Sequence, residues 1–137
     1  MLRDADAELD ETPSRYRHRS WFRMFTDAVR GVKIALRGEV NFFLHIFIAA
    51  MAAVAGGIVT LTDDRWCLYL LCVTIVLTAE MFNTAIEHLA RAVTRERHPE
   101  VRDALDIASG AVLVAAVGAT IVGILIVGWP LTEVLRR

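Results

Sequence analysis

The chain has 137 residues, enough for one domain, and 55% of them are hydrophobic, with a mean hydropathy of +0.46. A net charge of −1 makes no electrostatic case for a nucleic-acid partner. The two cysteines, Cys67 and Cys72, stand in an apolar run with neither CxxC nor zinc spacing, so they read as small apolar packing residues.

The charge is unevenly spread. Arg3, Arg15, Arg17, Arg19, Arg23, Arg30, Lys33 and Arg37 all precede residue 40. The opening MLRDADAELDETPSRYRHRS is polar and has no apolar core of a signal peptide. Residues 1–17 are expected to be a disordered cytoplasmic tail, and 18–137 to form a membrane domain.

Residues 20–38 carry Trp21, Phe22, Phe25, Val29, Val32 and Leu36 at helical spacing. Arg23, Arg30, Lys33 and Arg37 fall mostly on the rest of that surface. Such a helix suits the headgroup layer, aromatics down and cations toward lipid phosphate.

Three spans follow, each near the 20 or so apolar residues that about 30 Å of hydrocarbon requires. The first is expected over 42–61, with His45 its one strongly polar residue. The acidic turn Thr62-Asp63-Asp64-Arg65 separates it from the second, over 66–93. A polar segment broken by Pro99 leads to the third, over 106–129, which is rich in Ala, Gly and Val and is expected to end at Pro130. Its glycines, GATIVG at 118–123 included, read as packing residues that let helices approach closely. Trp66 and Trp129 stand at span ends, where interfacial aromatics belong. The basic N-terminal segment and Arg91, Arg95, Arg97 and Arg102 place the N-terminus and the 94–105 connection in the cytoplasm.

Glu80, Asn83 and Glu87 interrupt the second span. Offsets of three and seven residues keep them within about 60° of one another on a helix. A charge facing lipid at mid-span costs about 2.5–3.5 kcal/mol on insertion scales, so the stripe is expected to face protein, water or an ion. Glue between helices is the bland alternative; two Glu and an Asn on one stripe run against it. Glu39 precedes the first span as an interfacial charge would, and Asp106 opens the third as a helix N-cap would. The topology nonetheless brings Glu39, Glu80, Glu87 and Asp106 toward one leaflet. Several carboxylates suit a hard cation such as Mg²⁺ bridging phosphate oxygens. A carboxylate that is not a ligand can take a proton from a hydroxyl. Carboxylates, basic groups and an interfacial position together suggest phosphoryl transfer to a lipid headgroup. There is no GxxxxGK[ST] loop and no protein-kinase motif.

Residues 80–113, EMFNTAIEHLARAVTRERHPEVRDALDIASGAVL, closely resemble the signature of the small prokaryotic diacylglycerol kinases, a family that includes undecaprenol kinases. Upstream, GVKIALRGEVNFFLH at 31–45 resembles the family's Gly, the Glu eight residues later, then Asn-Phe and a His or Glu. The resemblance covers about residues 20–130. It implies an all-α integral membrane protein, with an interfacial helix and three spans, assembled as a homotrimer in the bacterial inner membrane. Its active sites would lie between subunits on the cytoplasmic side, with ATP and Mg²⁺ as donor and a lipid alcohol, diacylglycerol or undecaprenol, as acceptor. By resemblance Glu39 and Glu87 hold the metal and Glu80 is the general base. Asn83 would bond the substrate or position the base, and Asp106 would organise the nucleotide side, for which Arg102 and Arg30 are the candidate cations.

Three positions depart from the pattern. Leu105 stands where the family usually has Lys, Phe43 where an Arg is common, and Arg91 where an Asp is common. Arg102 or Arg97 is expected to stand in for the missing lysine. The competing reading is a catalytically impaired relative, or a membrane scaffold of the same fold.

Overall fold

A computed structural model describes residues 20–37, 40–94, 96 and 98–135. The expected tail at 1–17, Glu39 and Arg97 therefore lie outside the described residues. The chain forms four helices: α1 (Trp21–Leu36), α2 (Val40–Ile58), α3 (Asp63–Val93) and α4 (Pro99–Leu135), with no strand among the described residues. As expected, α2, α3 and α4 are each long and apolar enough to cross a membrane.

α1 starts where the Ser20 hydroxyl accepts the Arg23 amide at 3.4 Å. Only Ala35, near its C-terminal end, is buried; Trp21, Phe22 and Phe25 stand exposed. α2 ends in a Schellman turn: the Leu61 amide reaches the Gly56 carbonyl at 3.1 Å and the Thr60 amide reaches Gly57 at 3.3 Å. Thr60 takes the left-handed conformation, φ 51°, and the Leu61 side chain folds over Gly56.

α3 begins three residues before the expected boundary. Asp63 and Asp64 form its first turn instead of a separate loop, because carboxylates are favoured at the positive end of the helix dipole. α4 departs further. It begins at Pro99, since proline suits the first helical position, where no amide hydrogen is needed. Asp106 therefore lies within α4, about two turns in, and is not its N-cap.

Nor does Pro130 end α4; the helix continues to Leu135. Proline has no N–H to offer the carbonyl four residues back, here Ile126. That carbonyl accepts instead from Arg65 Nη1 of α3, at 3.5 Å.

Arg65 thus meets Ile126 near one end of the bundle, and Asn83 meets Ser109 toward the other. The pairs make α3 and α4 antiparallel, with the two contacts about 26 Å apart along the axes. That approaches the hydrocarbon thickness of about 30 Å. Both helices exceed this length, so the C-terminal turns of α3 and the first turns of α4 extend past the apolar zone. On the other flank the Tyr69 hydroxyl donates to the Ala49 carbonyl at 2.7 Å, tying α3 to α2.

The core is thin. Phe42, Val59, Val76, Ala108 and Ile126 are buried, whereas Leu113, Val114, Ile124 and Leu125 are exposed. The expected close packing through the glycines of α4 is not made within the chain: a methyl added at Gly110, Gly118 or Gly123 would meet no atom within 4 Å. α4 turns Ala108 and Ile126 into the core, and Gly123 lines the apolar cavity beside them.

Candidate active site

Glu80, Asn83 and Thr84 are the buried polar residues among those described, at 3%, 8% and 3% exposure. All lie on α3, and a helix brings them to one side because they are spaced by whole turns or adjacent to such a position. The polar stripe therefore faces protein, as the cost of exposing it to lipid demands. No buried side-chain polar atom lacks a partner among the described residues.

The stripe is organised around Asn83. Its Nδ2 donates to Glu87 Oε1 at 3.0 Å, one turn further along α3. Its Oδ1 faces the Ser109 hydroxyl of α4 at 3.4 Å, and that hydroxyl also donates to the Leu105 carbonyl at 3.0 Å. A single amide thus joins the carboxylate to the neighbouring helix.

Beyond Glu87 the two helices part around a cleft of about 1070 Å³. Its walls include Glu87, Arg91, His98, Arg102, Leu105 and Asp106. Arg91 Nη2 lies 4.0 Å from Glu87 Oε2. Arg102 Nε lies 3.8 Å from Asp106 Oδ2, one turn along α4, with both side chains largely exposed. Exposed pairs of this kind contribute about 0.2–1 kcal/mol, so they do not lock the cleft against a ligand.

The site residues read from the sequence divide accordingly. Glu87, Arg102 and Asp106 line one cleft, with Asn83 directly behind Glu87. Glu80 sits about 10 Å deeper along α3, two turns from Glu87. Arg30 is exposed on α1 and is not among the cleft walls. Glu39 and Arg97 lie outside the described residues. Among the described residues no three His, Cys, Asp or Glu side chains gather to hold a metal ion. Sequence reasoning missed Ser109, Thr84 and the Glu87–Arg91 pairing. Ser109 and Thr84 sit inside the DIASGAVL and NTAIE motifs, but only the α3–α4 register reveals what they face.

The donor set fits a Mg²⁺ ion that arrives with phosphate. Mg²⁺ uses one or two protein carboxylates and completes its shell with phosphate oxygens and water. Glu87 is half-buried, has one oxygen held by Asn83, and turns the other toward the cleft.

The prokaryotic diacylglycerol kinase family model matches residues 26–127, which hold the whole buried stripe and every wall of the cleft. The chain belongs to that family. It is a membrane lipid kinase, a phosphotransferase. An undecaprenol kinase of Bacillus subtilis is 35% identical to it over 118 residues, covering 86% of this kinase and 96% of that protein. A diacylglycerol kinase of a Synechocystis species is 33% identical over 100 residues, covering 72% of this kinase and 57% of that protein. No solved structure matches the kinase.

Proposed function

We propose that the kinase transfers the γ-phosphate of ATP to the hydroxyl of a membrane lipid alcohol, at the cytoplasmic ends of α3 and α4 in the bacterial inner membrane. The observation that carries this reading is the position of Glu87. One oxygen is bonded into the buried stripe through Asn83, and the other faces the polar cleft. A lipid hydroxyl approaching from the membrane and a polyphosphate approaching from water would meet between that residue and Glu80.

Glu80 takes the proton of the lipid hydroxyl as its oxygen attacks the γ-phosphorus. The bond from the γ-phosphorus to the bridging oxygen breaks, ADP leaves with that oxygen, and the proton on Glu80 passes to water. Glu87, with Glu39, would hold Mg²⁺, whose charge when bound offsets that of the phosphate oxygens. Asn83 fixes the Glu87 carboxylate in one orientation. Arg102, Asp106 and Arg30 serve the nucleotide. α1 lies in the headgroup layer, its exposed rings toward lipid. A homotrimer completes the site; the thin core and the exposed apolar surface of α4 support assembly.

Undecaprenol is the first acceptor to try, because the relative of that name matches over nearly its whole length. The test is phosphate transfer from γ-labelled ATP with Mg²⁺ in detergent–lipid micelles, offering undecaprenol and diacylglycerol separately. Label in one lipid identifies the acceptor. Absence of label in both, from a folded protein, would turn the reading toward a catalytically impaired member, which Leu105 in the cleft wall favours.

A further inference from the structure

We propose that Arg91 is the phosphate-binding cation of the cleft, filling from α3 the role for which Leu105 of α4 carries no charge. This rests on the nucleotide site proposed above. Arg91 and Leu105 line the same cleft from its two opposing helices, so a cation on either wall addresses the same space. The two departures from the family resemblance are complementary: four residues after Glu87, where an Asp is common, Arg91 is basic, and immediately before Asp106, where a Lys is usual, Leu105 is apolar.

The other guanidinium of the cleft is less suited. Arg102 pairs with Asp106 through Nε at 3.8 Å, on its own helix, with its side chain 83% exposed against 61% for Arg91. Arg91 stands one turn beyond Glu87 and meets it only at 4.0 Å, well outside the 2.7–2.9 Å of a charge-assisted hydrogen bond. Among the described residues its guanidinium makes only the long ion pair with Glu87 and no hydrogen bond, which leaves donors for a fork across two phosphate oxygens. Were Glu87 to hold a divalent ion, Arg91 would be repelled from that carboxylate and would turn into the cleft toward the phosphates. Glu87 remains placed meanwhile, because Asn83 holds its other oxygen.

The experiment measures binding of trinitrophenyl-ATP with Mg²⁺ by fluorescence, displaced by ATP, in detergent–lipid micelles. It compares the wild-type kinase with Arg91→Ala, Arg91→Lys and the double variant Arg91→Ala/Leu105→Lys. Arg91→Ala is expected to weaken binding roughly tenfold, equivalent to about 1.4 kcal/mol. Arg91→Lys keeps most of the affinity, and the double variant recovers it from the other wall. In turnover assays the KM for MgATP rises in Arg91→Ala while the KM for lipid does not. A mere surface ion pair with Glu87 would move neither nucleotide affinity nor the KM for MgATP. Wild-type affinity in Arg91→Ala overturns the proposal, as does a double variant no tighter than the single one. A wild-type protein that binds no nucleotide overturns the underlying reading, and the role of Arg91 with it.

Discussion

The Asn83 side-chain amide donates to the Glu87 carboxylate at 3.0 Å, one helical turn away, at the point where the buried stripe opens into the cleft. The same amide faces Ser109 across the helix interface. Asn83→Ala removes both contacts and frees Glu87 to rotate. Groups that orient metal ligands typically affect metal affinity or activity by about 10–100-fold. We expect the Mg²⁺ concentration for half-maximal turnover to rise within that range, and Ser109→Ala, which leaves the Asn83–Glu87 bond in place, to have a much smaller effect. Both are read from Mg²⁺ titrations of lipid phosphorylation.

Glu80 is nearly fully buried on the same face as Asn83. Glu80→Gln keeps its size and loses the carboxylate proposed as the proton acceptor. A positioned base contributes about 10²–10⁴-fold, so turnover should fall by that much while nucleotide binding and assembly persist. Glu80→Ala should likewise abolish turnover yet leave the proposed trimer on a sizing column. An oligomer that comes apart would make Glu80 a structural contact between helices.

Arg65 and Pro130 form a coupled pair through the Ile126 carbonyl. Pro130→Ala returns an amide hydrogen to that carbonyl, so Arg65 should matter less in its presence. Arg65→Ala alone is expected to destabilise by about 0.5–1.5 kcal/mol, the net worth of one hydrogen bond. In the Pro130→Ala background the loss should shrink. A double-mutant cycle on denaturant unfolding measures the difference, and a cycle with no coupling energy would refute the pairing.

Thr60 holds a left-handed conformation, φ 51°, at the turn that ends α2. A branched residue pays about 1–2 kcal/mol there that glycine avoids. Thr60→Gly should therefore stabilise the protein by about 1 kcal/mol, less what is lost to the greater freedom of the unfolded chain. It should leave lipid phosphorylation unchanged, because the turn lies at the opposite end of α2 from the cleft. A lowered midpoint of unfolding would show that the Thr60 side chain contributes more than its backbone loses.

Much of the fold was legible because it depends on one helix at a time. Twenty or so apolar residues define a span whatever its neighbours are, and three such lengths are visible between 42 and 129. The alignment of Glu80, Asn83 and Glu87 on one face is likewise a property of a single helix. The helix ends were harder to read. Asp63 and Asp64 look like a loop until the dipole of α3 is considered, and Pro130 looks like a stop until Arg65 supplies the hydrogen bond that proline cannot.

The chain by itself determined the number of spans, the polar stripe and the family signature, since these follow from composition and spacing along a continuous helix. The tertiary structure alone decided that Ser109 meets Asn83, that Arg65 meets Ile126, and that Arg91 and Leu105 share one cleft. Each of these joins α3 to α4, and depends on how two antiparallel helices slide and rotate against each other. Hydrophobic periodicity leaves that register open, because an apolar face fits a neighbour at many offsets, whereas the pairing of buried polar groups admits few.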